Sequence, residues 1–211
     1  MSAFPETGVR AIIFDLGNVL IDFDHGIAAR RIMRFTDKSP QEITDLFLNS
    51  GITGLFEEGK ISPEEFFFKV KEMLSLRLDY PGFLPVWNEI FTFSGKNREV
   101  YALAQSLKSR YQLAILTNSN ILHFEYVKNN FPIFDAFGHI FTSYELGAAK
   151  PNRVIYEKAL FLLKVDAQAV FYTDDRQDLV EGAKALGIKA SVFVSPDQLR
   201  EDLRLAGVKV D

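Results

Sequence analysis

Two short apolar runs in this chain each end on acid. Ala11-Ile12-Ile13-Phe14 runs into Asp15, and Ala169-Val170-Phe171-Tyr172-Thr173 runs into Asp174-Asp175. A brief, unbroken apolar run reads as a strand buried on both faces, which is the condition of a parallel sheet covered by helices. In such a sheet, ligands bind beyond the carboxyl ends of the strands. Both acidic positions are therefore expected at a ligand-binding edge. There Asp15 can act as a nucleophile or hold a metal.

The rest of the pattern agrees with that sheet. Val9 to Leu16 is predicted as the first strand, with Gly17 and Asn18 as a tight turn after it. From His25 to about Phe93 the pattern is helical. Ser39-Pro40-Gln41-Glu42 and Ser62-Pro63-Glu64-Glu65 each place Pro at a first helical turn, and the second also matches a capping box. Gly51, Gly54, Gly59 and Tyr80-Pro81-Gly82 are read as breaks between these helices. From Ser94-Gly95 onward, strands and helices alternate. Helices are predicted over 98–110, 121–130, 153–163, 179–186 and 196–205, and strands at Gln112–Thr117, His139–Ser143 and Ala190–Val194. The expected fold is α/β, a Rossmann-like doubly wound parallel sheet with an inserted small α-helical cap. Residues 1–20 and 95–211 are assigned to the core and residues 21–94 to the cap.

Two acidic strand ends in one sheet bring like charges together, which is costly unless a cation lies between them. Carboxylates without a Cys or His cluster suit a hard ion such as Mg²⁺. Gln112-Leu113-Ala114-Ile115-Leu116 ends on Thr117-Asn118, whose hydroxyl and amide can donate to phosphate oxygens. Ser119 and Asn120 then read as a helix start. Lys150-Pro151 supplies a mobile point charge just before another helix.

Taken in order, Phe14-Asp15-Leu16-Gly17-Asn18-Val19, Leu116-Thr117-Asn118, Lys150-Pro151 and Asp174-Asp175 resemble the four motifs of the haloacid dehalogenase superfamily of phosphohydrolases. The first motif is closest to the subgroup that includes α-glucose-1-phosphate phosphatases. The resemblance implies an aspartyl-phosphate mechanism. Asp15 is the nucleophile, and Mg²⁺ is held by Asp15, the Gly17 carbonyl and Asp175, with Asp174 as a further ligand or acting through water. Lys150 and Thr117 act in catalysis, and Thr117, Asn118 and Lys150 bind the phosphate. The substrate implied is a small phosphorylated metabolite, a sugar phosphate among the candidates. One departure matters. The family's usual second Asp, which protonates the leaving oxygen, is replaced by Gly17. Good leaving groups are therefore expected to be favoured. The same departure leaves open a 2-haloacid dehalogenase-like hydrolase and a non-catalytic protein that binds a phosphorylated ligand or a partner.

Asp22, Asp24 and His25 are the nearest replacements for that acid in sequence. His123 is expected at the surface or in packing. The Phe66-Phe67-Phe68 and Phe91-Thr92-Phe93 runs are expected in the core, with some rings available to a pocket. Asp178 suits a helix start or the surroundings of a metal, and Arg176 suits a substrate contact or a pairing with nearby acids.

With 211 residues, 47% hydrophobic and 25% charged, the chain has the composition of a soluble globular protein. A net charge of −4 with no basic block argues against nucleic acid. No apolar stretch is long enough to span a membrane, and the N-terminus shows no signal-peptide pattern. The absence of Cys excludes disulfides and thiolate metal sites. These readings lead to the expectation of a cytoplasmic monomer or homodimer with no membrane partner.

Overall fold

The computed structural model describes residues 8–210. The first seven positions of the segment assigned to the core, on which the signal-peptide expectation also bears, and Asp211 lie outside the described residues.

In chain order the elements are β1 (Ala11–Phe14), β2 (Asp22–Phe23), α1 (His25–Ile32), α2 (Pro40–Asn49), α3 (Ile52–Glu57), α4 (Pro63–Leu74) and α5 (Tyr80–Asn88). β3 (Phe91–Thr92), α6 (Gly95–Leu107), β4 (Gln112–Thr117), α7 (Ile121–Asn130), β5 (His139–Thr142) and α8 (Ser143–Leu146) follow. The chain continues through α9 (Arg153–Leu163), β6 (Val170–Asp174), α10 (Gln177–Lys184), β7 (Lys189–Val192) and α11 (Pro196–Leu205).

Five strands form a parallel sheet in the order β5-β4-β1-β6-β7. From the central β1 the chain builds outward to β4 and β5, then returns to the other side of β1 with β6. The strand order thus reverses between β1 and β6, and the crevice at such a reversal is where this architecture binds ligands. Register delivers the acids there together: Phe14 pairs with Thr173, so Asp15 and Asp174 leave the sheet side by side.

Alternation along the strands feeds two cores. Ile12, Phe14, Leu113, Ile115 and Phe171 face one helical layer. Ala11, Ile13, Ala114, Leu116, Val170 and Tyr172 face the other. A third cluster belongs to the helices between β2 and β3, where Ile32, Ile43, Phe56, Phe66, Phe67, Phe83 and Trp87 pack together away from the sheet. Phe66 and Phe67 are buried there, while Phe68, turned onward by helical geometry, is 63% exposed.

Capping follows from the sequence. Ser39, Ser62 and Ser94 each close a capping box with the residue three positions on. Several expectations need correction. Tyr80-Pro81-Gly82 is not a break but the first turn of α5, because Asp79 caps it by accepting from the Gly82 amide and Pro81 needs no partner for its nitrogen. Gly54 likewise lies inside α3, whereas Gly51 (φ 73°) and Gly59 (φ 66°) do break the chain. The first strand is shorter than Val9 to Leu16. The two-residue strands β2 and β3, which pair antiparallel, and the short α8 were not expected. No helix among the described residues is long and apolar enough to cross a membrane.

Candidate active site

The turn after β1 is built from main-chain bonds. The Ile21 amide donates to the Leu16 carbonyl (3.0 Å), and the Asn18 amide to the Ile21 carbonyl (2.7 Å). Asn18 carries the left-handed conformation (φ 55°), which Asn tolerates better than most residues. Its side-chain amide donates to Asp175 Oδ2 (2.9 Å), so this turn residue also positions the second acidic strand end. Gly17 is required for space rather than for its φ. A Cβ there would lie 2.6 Å from Cε1 of Phe23. The ring of Phe23 fills the side-chain space at the position where the family pattern has its second Asp.

Lys150 was expected to be mobile and is instead fixed. It is only 4% exposed. Its Nζ lies within hydrogen-bonding distance of Asp15 Oδ1 (2.9 Å), Asp174 Oδ2 (2.6 Å), the Leu116 carbonyl (2.9 Å) and Tyr172 Oη (3.0 Å), four acceptors that share its three protons. Tyr172 also donates to Asp174 Oδ2, and the Arg176 amide donates to Asp174 Oδ1 (3.0 Å). Burial alone would lower the Lys150 pKa, but Asp15 and Asp174 outweigh it and the net shift is upward. Asn118 is tied to Lys150. Its side-chain amide is engaged with the Lys150 main chain, accepting from the amide (2.7 Å) and donating to the carbonyl (2.8 Å). The Thr117 hydroxyl, 3.4 Å from the Asn118 carbonyl that accepts from it, lines the cavity.

Asp15, Gly17, Thr117, Asn118, Lys150 and Asp175 line one cavity of about 220 Å³ at the carboxyl edge of the sheet. Asp174 is fully buried behind it. Burial pushes Asp15 up to about 7, with Lys150 opposing and Asp174 adding to the rise. Asp175 is also raised, chiefly by burial, against its bond from Asn18. The shifts have one main physical cause: both carboxylates are drawn out of water, and the charge of Lys150 offsets that cost only in part.

The other wall of the cavity comes from the helical layer and its entry: Phe23, His25, Glu57, Phe91 and His123. Of the three acid candidates near the turn, only His25 lines the cavity. Asp22 is turned away to Lys96 (2.6 Å) and Asn97, and Asp24 caps α1 and pairs with Arg30. Desolvation lowers the His25 pKa, with Asp24 opposing. His123 is buried in packing. Its ring stacks on Trp87 (centroids 4.8 Å apart), its Nε2 lies 3.1 Å from the Trp87 carbonyl, and its Nδ1 lies 3.1 Å from the Asn120 side-chain amide. Arg176 pairs with Asp178 (2.7 Å) while also lining the cavity. Glu57 carried no signal in the sequence. It sits in an unremarkable Phe56-Glu57-Glu58 stretch, and only the packing of α3 over the sheet edge brings it to the site.

A family model described as haloacid dehalogenase-like hydrolase matches residues 9–187. The chain is 24% identical over 187 residues to D-ribitol-5-phosphate phosphatase of Bacteroides thetaiotaomicron, a match covering 86% of this chain and 90% of that protein. It superposes with a TM-score of 0.79 on a HAD family enzyme from the same organism, solved in complex with magnesium and inorganic phosphate. That match has 27% identity and covers 89% of this chain and 96% of the other. A 2-haloacid dehalogenase from Pseudomonas syringae shares the fold alone: its TM-score is 0.62 at 19% identity, covering 93% of this chain and 99% of the other.

Proposed function

Because this chain belongs to the haloacid dehalogenase-like hydrolases, and within them to the enzymes acting on phosphate esters, we propose that it is a Mg²⁺-dependent phosphatase of a small phosphorylated metabolite, sugar phosphates included, working through a phosphoaspartate at residue 15. The observation that carries this reading is the cluster at the strand reversal. Asp15, Asp174 and Asp175 offer carboxylate oxygens within 4.8 Å of one another, with Lys150 as the buried cation between the first two.

The donor set fits Mg²⁺. Among the described residues no hydrogen bond reaches the Gly17 carbonyl, and Asp15 and Asp175 each retain an oxygen beyond those taken by Lys150 and Asn18. These three would hold the ion. Asp174, both of whose oxygens are engaged, acts at one remove by fixing Lys150. When bound, Mg²⁺ neutralises charge on the phosphoryl oxygens.

Everything else falls to the chain's own groups. Asp15 attacks phosphorus in line, and the leaving oxygen departs on the opposite side, toward the helical layer. Lys150 orients the nucleophile through Oδ1 and stabilises the transferring group. The Thr117 hydroxyl and the main chain at Asn118 hold the remaining oxygens. Residues 21–94 serve as the cap that closes the site over the leaving group. The paired acids also favour phosphate over a carbon–halogen substrate, since they make physical sense around a cation.

Phosphate release from p-nitrophenyl phosphate, with and without Mg²⁺, tests the proposal. Wild type should turn over only with the ion, and Asp15→Asn should fall to background. Substantial Mg²⁺-dependent turnover by Asp15→Asn would refute it.

A further inference from the structure

The site described above lacks an acid for the leaving oxygen at position 17, and Phe23 occupies the space where one would stand. The geometry points to Glu57 as the general acid that protonates the leaving oxygen, which extends the substrate range to esters of ordinary alcohols. This inference rests on the phosphatase reading.

Glu57 ends α3 and lines the same cavity of about 220 Å³ as Asp15. It also lines the adjoining cavity of about 550 Å³, bordered by Ala28, Ile43, Phe47 and Trp87 of the helical layer and by Arg176 of the core. Three side chains border both spaces, Glu57, His25 and Arg176; burial lowers the His25 pKa and Arg176 keeps its proton, so Glu57 is the acid at the place for the bond between phosphorus and leaving oxygen. Its main chain is anchored to the sheet edge. The Ser143 hydroxyl donates to the Glu57 carbonyl (2.6 Å) and accepts from the Ser119 amide (3.0 Å), two residues past Thr117. Gly59 packs against the Tyr144 carbonyl so closely that no Cβ would fit, which holds the end of α3 down on the core. No hydrogen bond or ion pair to the Glu57 carboxyl occurs among the described residues. The carboxyl of this half-buried side chain is thus free to meet a ligand. Burial pushes it up to about 7, with Arg176 opposing. It can thus carry a proton near neutrality, as a general acid must.

The proton accounting closes. As the Asp15–phosphorus bond forms, the phosphorus–oxygen bond breaks. Its electron pair goes to the leaving oxygen, which takes the Glu57 proton and departs as a neutral alcohol. The Glu57 carboxylate then takes a proton from the water that attacks the phosphoaspartate, which restores both side chains and releases phosphate.

Two esters of similar size test this. p-Nitrophenyl phosphate has an acidic leaving hydroxyl, and 2-phenylethyl phosphate does not. With enzyme in excess and Mg²⁺ present, release of the alcohol is followed in a single turnover for wild type, Glu57→Gln, Glu57→Asp and Asp15→Asn. Glu57→Gln should lose about 10²-fold more on the phenylethyl ester than on the nitrophenyl ester, in line with the usual contribution of a general acid. Glu57→Asp should recover part of that difference. Equal losses on both esters, no loss on either, or a wild type inert toward the phenylethyl ester would overturn the assignment of Glu57. Asp15→Asn should lose both esters. Retention of both by that variant would instead overturn the phosphatase mechanism itself.

Discussion

Lys150 lies between two buried carboxylates, and this decides what its removal would do. In Lys150→Ala, Asp15 and Asp174 face each other with no cation between them. Losing a preorganised charge at the transferring group should cost roughly 10²–10³ in turnover. Breaking a buried ion pair by deleting one partner typically destabilises by about 3–5 kcal/mol, so the variant should also melt lower. Lys150→Met combined with Asp174→Asn removes both charges and should regain much of the lost stability while staying inactive. Thermal melts of the single and double variants check this, and equal melting points for wild type and Lys150→Ala would contradict it. Gly17 makes a second prediction at this scale. Gly17→Asp should not restore the family's acid. It should force the Phe23 ring aside and cost about 1–3 kcal/mol, the usual range for overpacking. Adding Phe23→Ala should relieve that loss, as chemical denaturation would show. Which residues meet was largely legible in the sequence at this scale. Asp15, Thr117, Asn118, Lys150 and Asp175 lie far apart in the chain yet line one cavity, because all but Lys150 end or follow a parallel strand. What could not be read was how each group is used. That the Asn118 amide clamps the Lys150 main chain, and that Phe23 occupies the side-chain space at position 17, depend on loop geometry that no spacing encodes.

At the scale of elements, helices α5 and α7 are pinned together by one buried histidine. With Nε2–H donating to the Trp87 carbonyl, His123 Nδ1 must accept from Asn120, so the ring is held in one neutral tautomer. Burial is the main reason its pKa falls to about 3, with His25 adding to the drop. An unfolded chain takes up this proton near pH 6.5, and the folded one does not until about pH 3. Between those values the unfolded state binds more protons, so stability falls as pH falls, by up to about 1.4 kcal/mol per pH unit from this group. His123→Gln keeps the neutral donor and acceptor but cannot titrate. Urea unfolding from pH 6.5 to pH 4 should give a shallower loss of stability for the variant than for wild type, and parallel slopes would refute the role. Helix starts at Ser39 and Ser62 were readable from local chemistry. The same chemistry was misread at Tyr80-Pro81-Gly82, where Asp79 turns an apparent break into a helix start. The positions of Glu57 and His123 were not readable, since they depend on how one helical layer packs on another.

The whole molecule divides its work between a sheet that supplies charge and a helical layer that supplies the opposite wall. The strand order that reverses between β1 and β6 puts Asp15 beside the second acidic strand end without any local device. The alternation of strands and helices foretold a parallel sheet, but not this order, because local patterning does not say which strands pair. The helices between β2 and β3 form their own apolar cluster and meet the core at Glu57 and Trp87, through the Ser143 hydroxyl and the His123 ring. The proposed reaction passes through a covalent phosphoryl enzyme at Asp15. Rapid acid quench of the enzyme with Mg²⁺ and a phosphate monoester, followed by borohydride reduction and peptide mass spectrometry, tests it most directly. Reduction of an acyl phosphate converts that aspartate to homoserine. Homoserine is expected at position 15 and nowhere else, dependent on substrate. Steady turnover with no modified residue at position 15, or with the label on another side chain, would contradict it.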